Sequence, residues 1–293
     1  MDTPIAIVIL TKDEPKFLKA TVQSIIERTH YPYQLFISDN NSQSAEQKYL
    51  LQQYDQDPNI RVICNTNNRW VLGFNNAIEI AQRQKNLSRD YMVLTDGDIV
   101  VPESTDELCW LEYLKQQMDQ HTCIGKLGLS LNLDSIKDNS LFQKTYQREL
   151  TYKTGPNIGE SIIAPVDTTL AIYRQDIFIS GAFRLLPGHA SLIKPYFFTC
   201  RTLHYQAEHL GWKNYIEPTQ EQLKEKIKCF TKYAGYIDSI VLNKTDIKTK
   251  NFYRFFRYWF KAYWSIKVIF YWILYVFTRF PRKLNELQVS HRN

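Results

Sequence analysis

The chain has 293 residues, of which 44% are hydrophobic, with 10 glycines and 11 prolines, a composition that excludes intrinsic disorder and is sufficient for one large buried core. Its net charge of +6 is local: residues 251–293 hold eight Lys or Arg against the single acid Glu286, which leaves residues 1–250 near neutrality and excludes a nucleic-acid surface spread over the fold. The five cysteines (Cys64, Cys109, Cys123, Cys200, Cys229) are scattered without CxxC spacing, so they read as free thiols rather than as a zinc site or disulfide framework.

The apolar run Ile5–Leu10 is short, follows Asp2 without a basic region, and gives way at once to Thr11-Lys12-Asp13-Glu14. It reads as a first buried strand, not a signal peptide. Pro15–Arg28 then carries Phe17, Leu18, Val22, Ile25 and Ile26 at helical spacing. The alternation repeats, with strands over 34–38, 60–64 and 91–95 and helices over 42–54 and 74–84. Such a βαβα series predicts a mainly parallel sheet with helices on both faces, a Rossmann-like α/β domain. Ligands in these sheets bind beyond the carboxyl ends of the strands. The residues that follow each apolar run are therefore the site candidates: Thr11 to Glu14, Asp39 to Ser42, Asn65 to Gly73 and Asp96 to Asp98.

After Asp98, Pro102 ends a short apolar run, and a helix is expected over about 105–120, then a strand over 124–131. Residues 134–160 are polar and too long for an ordinary connection, which suggests a functional loop or a partly helical insertion. A strand is expected over 166–173, a short helix or loop over 203–210 and an amphipathic helix over 219–233.

Asp96-Gly97-Asp98 sets two carboxylates at the end of a buried strand, with a glycine between them that allows close approach of a ligand. A hard cation such as Mg²⁺ or Mn²⁺ takes one or two carboxylates and completes its shell with substrate phosphates, neutralising charge on a departing diphosphate. An Asp-Gly turn is the bland alternative.

Several segments resemble family-2 glycosyltransferases of the GT-A type. Ile7–Glu14 is similar to their first strand and nucleotide loop, Ile37–Ser42 to a turn whose aspartate contacts the base, and Asn65–Ala81, with Asn67, Asn68, Arg69, Gly73 and Asn76, to the segment that packs the donor nucleotide. The resemblance implies a GT-A fold, and donor-nucleotide contacts from Thr11, Asp13, Glu14, Asp39, Asn68, Arg69, Gly73, Asn76 and Asp96. It implies Asp98 as a ligand of Mn²⁺ or Mg²⁺. Helix caps and Asx turns are the alternative for Thr11–Glu14 and Asp39–Ser42.

Inverting transfer needs a general base for the acceptor hydroxyl, and the Glu-Asp pair that supplies it in the family is missing after Asp98. Asp167, opening the strand 166–173, is the first candidate for base or acceptor contact, and Glu208 the second. Tyr205–Trp212 resembles a segment in which a histidine before Leu-x-Trp faces the metal, which makes His209 the candidate third partner, ahead of His204; His189 sits in a loop-like stretch with little to support a role.

From Asn251 to Lys283 aromatics alternate with basic residues and no acid occurs. The longest uncharged run, Val268–Thr278, falls short of the about 20 apolar residues of a spanning helix. Arg254, Arg257, Lys261 and Lys267 among Phe255, Trp259, Tyr263 and Trp264 read as a peripheral anchor on anionic lipid. Packing on the catalytic domain and a homodimer contact are the alternatives.

The expected organisation is a catalytic domain over 1–233, with a donor half 1–103 and an acceptor half 104–233, followed by a helical membrane-association extension over 234–293. The expected activity is metal-dependent transfer from a nucleotide-diphosphate sugar, a UDP-sugar by preference, to a glycan or lipid-linked acceptor, with inversion, at the cytoplasmic face of a membrane. No nucleic-acid partner is expected. A sugar nucleotidylyltransferase is a poorer fit, since Leu10–Glu14 lacks the glycine-rich loop of those enzymes; a silent membrane-bound binding module is the non-enzymatic alternative.

Overall fold

The structure is a computed structural model that describes residues 2–104, 108–175, 197–215, 219–233 and 239–278, together with Gly235 and Ile237. Its centre is a ten-stranded sheet. Strand β1 (Ile5–Thr11) is buried along its whole length, because both of its faces are covered. Ile5, Ile7 and Ile9 meet α1 (Pro15–Arg28) through Leu18, Val22 and Ile25 on one face. Ala6, Val8 and Leu10 meet Phe74, Ala77, Ile78 and Ala81 of α3 (Phe74–Gln82) on the other. Burying each large aliphatic side chain contributes about 1.5–3 kcal/mol, so these two layers fix which strand faces which helix.

β2 (Tyr33–Asp39) and β4 (Tyr91–Asp96) flank β1 in parallel, and β3 (Ile60–Cys64) lies parallel outside β2, with α2 (Ala45–Tyr54) in the crossover between β2 and β3. Beyond β4 the sheet becomes mixed. β9 (Leu170–Arg174) runs antiparallel between β4 and β6 (Ile124–Leu131), and β10 (Phe198–His209) lies parallel to β6. The hairpin β7 (Asn157–Ile158) and β8 (Ser161–Ile163) closes the far edge, while β5 (Ile99–Val100) pairs with the end of β10.

The elements expected over the first 96 residues are all present, within a residue or two except that α2 begins at Ala45, three residues after the expected start. Residues 134–160 contain α5 (Gln143–Thr151), so the insertion is partly helical. α4 spans Trp110–Gln120. Residues 203–209 are strand, not helix or loop: Tyr205 and Ala207 are buried while His204, Gln206 and Glu208 are exposed, a period-two pattern that the sequence displays and the expected helix ignored.

α6 (Gln220–Lys232) ends the span expected for the catalytic domain, and α7 (Ser239–Asn243) and α8 (Ile247–Thr278) are described in the extension expected over 234–293. α8 packs on α6 through Tyr253, Ile227 and Ile237, and Trp264 Nε1 donates to Lys232 O. α6 in turn sits on the loop after β3: Glu225 accepts from Asn68 Nδ2, and the Trp70 ring packs at a tilt against Phe230.

Candidate active site

Strand register brings the polar strand ends together. Thr11 is level with Asp39, Asp39 with Cys64, and Leu10 with Asp96, so that three acid-bearing ends and Asn65 share one edge of the sheet. Gly97 and Asp98 then form a tight turn from β4 into β5. A Cβ on Gly97 would stand 2.9 Å from Glu14 Oε1 and 3.0 Å from Thr11 Oγ1, so only glycine lets the turn approach the β1 end this closely.

Glu14 makes no cap bond to α1, and its Oε1 accepts from Thr11 Oγ1. Asp96 accepts from Thr168 Oγ1 at 2.5 Å. Burial, followed by repulsion from Asp98, holds the Glu14 and Asp96 carboxyls well above the ordinary carboxylate range. Burial also raises Asp98, while His209 pulls it back down.

Asp98 and His209 form the other half of the site. His209 Nδ1 is 3.6 Å from Asp98 Oδ2, too long for a hydrogen bond. Asp98 Oδ1 and His209 Nδ1 are both buried without a hydrogen-bond partner. Buried polar atoms left this way are costly, and here two of them lie on neighbouring side chains. The imidazole is held by stacking on Trp212, with centroids 4.9 Å apart and planes within 2°. Gly211 is the third part of the cradle, where an added Cβ would overlap Asp98 Oδ2 and stand 2.9 Å from His209 Cε1. A carboxylate and an imidazole suit Mn²⁺, but two ligands are not a closed cage: among the described residues no group of three or more His, Cys, Asp or Glu is placed to hold an ion. The remaining positions would have to come from phosphate or water.

The other expected donor residues serve the loops. Asp39 accepts from Ser42 N and Ser42 Oγ, three residues on, and Asp13, at φ 51°, accepts from Gln43 N and Ser44 N ahead of α2. Gly73 O accepts from Ser38 Oγ and Asn65 Nδ2, while Asn76 Nδ2 donates to Asn65 Oδ1. Asn40 ties Asn68 and Arg69, accepting from Arg69 N and donating to Asn68 Oδ1. Asn40 and Asn65 lie in the candidate strand-end stretches but carried no assigned contact, and Gln47, whose Nε2 donates to Thr11 Oγ1, was not singled out from the sequence.

On the acceptor side, Asp167 is exposed just before β9, with Oδ1 accepting from Thr168 N. Glu208, level with Val100, is exposed and projects from the opposite side of β10 to His209. His204 is exposed, and His189 lies outside the described residues.

The geometry yields a pH prediction. In the metal-free protein the raised carboxyls bind protons that the unfolded chain has released, so their contribution to stability is present near pH 4 and is lost as pH rises through their raised values. A cation needs them deprotonated. Mn²⁺ is therefore expected to raise the melting midpoint more at about pH 7.5 than at about pH 5.5, as read by scanning fluorimetry. Equal shifts at both values would contradict this account.

A family profile described as "Glycosyl transferase family 2" matches residues 6–181. A search of curated protein sequences gave no match. Among solved structures, the chain is similar to a mannosyltransferase from Pyrobaculum calidifontis determined with GDP-Man and Mn²⁺, at 9% identity and TM-score 0.51, over 99% of this chain and 85% of that one. It is also similar to GalNAc-T7, determined with UDP, GalNAc and Mn²⁺, at 12% identity and TM-score 0.48, over 93% of this chain and 59% of that one. A third similarity is to TarS of S. aureus, at 11% identity and TM-score 0.43, over 87% of this chain and 52% of that one.

Proposed function

The chain belongs to glycosyl transferase family 2 and is a glycosyltransferase with the GT-A fold, and from that premise we propose that it moves a sugar from a nucleoside-diphosphate donor to an acceptor hydroxyl with help from Mn²⁺ or Mg²⁺. The observation that carries the metal part is that two neighbouring side chains each hold a partnerless buried atom, Asp98 Oδ1 and His209 Nδ1. Asp98 and His209 would hold the cation, which, when bound, supplies neutralisation of charge on the departing diphosphate.

The chain's own residues do the rest. Asp96, held by Thr168, orients the donor near its ribose, and Gly97 admits the phosphates close to the backbone. The loops fixed by Asp39, Asn40, Asn65 and Gly73 shape the nucleotide pocket, with Asn68, Arg69 and Asn76 along it. Asp167 takes the proton from the acceptor hydroxyl as that oxygen attacks the anomeric carbon from the side opposite the leaving diphosphate, which inverts the centre. UDP is our preferred nucleotide. Release of nucleoside diphosphate across UDP- and GDP-sugars with Mn²⁺ tests the reading: turnover confined to UDP donors supports it, and none with any donor contradicts it.

We further place the enzyme on a membrane surface, with a glycan or lipid-linked acceptor. Phe255, Trp259, Tyr263, Ile266, Phe270, Ile273 and Phe277 recur every three or four residues along α8 and are all exposed, which puts them on one continuous apolar stripe. The helix contains six Lys or Arg and no acid, complementary to anionic lipid. Among the described residues no helix is long and apolar enough to cross a membrane, so the stripe lies along the surface in this reading. Trp264, turned toward Lys232 and Tyr233, belongs to the body and not to the stripe.

A further inference from the structure

The segment Pro165–Thr169 crosses the sheet between the donor and acceptor sides, and each of its five carbonyls is held by a neighbour. Arg201 Nε donates to Pro165 O at 2.7 Å, Lys126 Nζ donates to Val166 O and, at 3.3 Å, to Asp167 O, Asp96 N donates to Thr168 O at 2.9 Å, and Thr95 Oγ1 donates to Thr169 O at 2.8 Å. Gly128 lets the segment lie flat on β6, since a Cβ there would overlap Val166 and stand 2.9 Å from Leu170 O.

Three of the five bonds come from two buried cations, Lys126 and Arg201. Lys126, on β6 among apolar neighbours, is 0% exposed, and its ammonium rests over the Tyr173 ring at 4.9 Å. Arg201, 6% exposed, pairs with buried Glu149 at 2.6 Å and lies over the Tyr152 ring. Burying an ammonium inside a sheet is expensive, and an apolar side chain of similar volume would fill the space at lower cost. What an apolar residue cannot do is gather adjacent carbonyls. Desolvation, only partly offset by attraction to Asp167, pushes the Lys126 ammonium down to about 7.

We propose that Lys126 and Arg201 are positioning residues for sugar transfer: they pin the Pro165–Thr169 main chain so that Asp167 at the acceptor edge and Asp96, through Thr168, at the donor edge keep a fixed separation. The proposal rests on Asp167 contacting the acceptor. Neither cation touches a reacting atom; each acts through the backbone that carries Asp167.

The test compares sugar transfer to acceptor with hydrolysis of the same donor by water, in the full chain with Mn²⁺. Lys126→Met is expected to lower kcat for transfer about 10²-fold while donor KM changes little and hydrolysis falls less, because misplacement of about 1 Å has effects of that size. Arg201→Lys keeps the charge facing Glu149 but loses the Nε donor to Pro165 O; it is expected to shift the transfer-to-hydrolysis ratio in the same direction by about tenfold, and it guards against Lys126→Met failing to fold. A lower melting point with an unchanged ratio in the folded variants would assign the two cations a structural role only and overturn the proposal. Asp167→Asn separates the two failures. If it abolishes transfer while the cation variants keep the wild-type ratio, only the clamp is wrong; if it leaves transfer intact, the acceptor reading and the clamp fall together.

Discussion

Asp98→Ala is expected to reduce metal-supported sugar transfer by about 10³-fold, the loss of several kcal/mol of charge stabilisation on the leaving group. The reasoning is local. Asp98 and His209 each carry a buried, partnerless atom, Oδ1 and Nδ1, on side chains whose nearest approach is the 3.6 Å between Asp98 Oδ2 and His209 Nδ1, and without Asp98 only a single ligand is left. The substitution also relieves the repulsion that raises Asp96 and Glu14, so the apo protein should melt no lower than wild type. That combination distinguishes loss of the site from misfolding. Kinetics with Mn²⁺ and a melting curve without it provide the check; near-wild-type turnover would remove Asp98 from the metal site.

Trp259→Glu combined with Phe270→Glu is expected to weaken binding to anionic liposomes by about 10²-fold, since each buried aromatic or aliphatic side chain contributes about 1.5–3 kcal/mol and each new charge opposes insertion. Both residues are exposed on α8, at 66% and 62%, so replacing them leaves the contacts of α8 with α6 in place. Cutting the chain near Lys250 is a poorer test. It would remove Tyr253, which is buried against Ile227 and Ile237, and Trp264, which is bonded to Lys232 O, so that α6 and the Asn68 loop beneath it would lose support. Co-sedimentation with liposomes reads the result, and donor hydrolysis should be unchanged. Undiminished sedimentation of the double variant would mean that the stripe is not the contact face.

The donor half was legible because its signals are local. A run such as Ile5–Leu10 is buried on both faces of a parallel sheet and reads as strand without any partner in view, and the polar residues after each run had to share an edge once the strands were parallel. The second half depends on non-local pairing. β9 is antiparallel to both of its neighbours, and β10 shifts register against β6 between Arg201 and Gln206, features that no window of residues announces. His209 was singled out by its Leu-x-Trp context, while its stacking on Trp212 and the space left by Gly211 emerge only from the fold. The roles of Asp13 and Asp39 show the reverse. Each sits at a predicted strand end, and each has oxygens committed to backbone amides of the next loop, the cap chemistry weighed against ligand contact. Lys126 carried no sequence signal, because a lysine in Ile124–Leu131 looks like an exposed strand position until β9 and β10 cover both of its sides.

The most direct test of the central claim is a crystal structure with Mn²⁺ and a nucleoside diphosphate, with the ion located by its anomalous signal. The account predicts one Mn²⁺ between an Asp98 carboxylate oxygen and His209 Nδ1, at about 2.0–2.3 Å from each, with diphosphate oxygens completing its shell and Asp96 turned to the nucleotide. An ion bound elsewhere, or nucleotide bound at this strand edge with no density between Asp98 and His209, would contradict it.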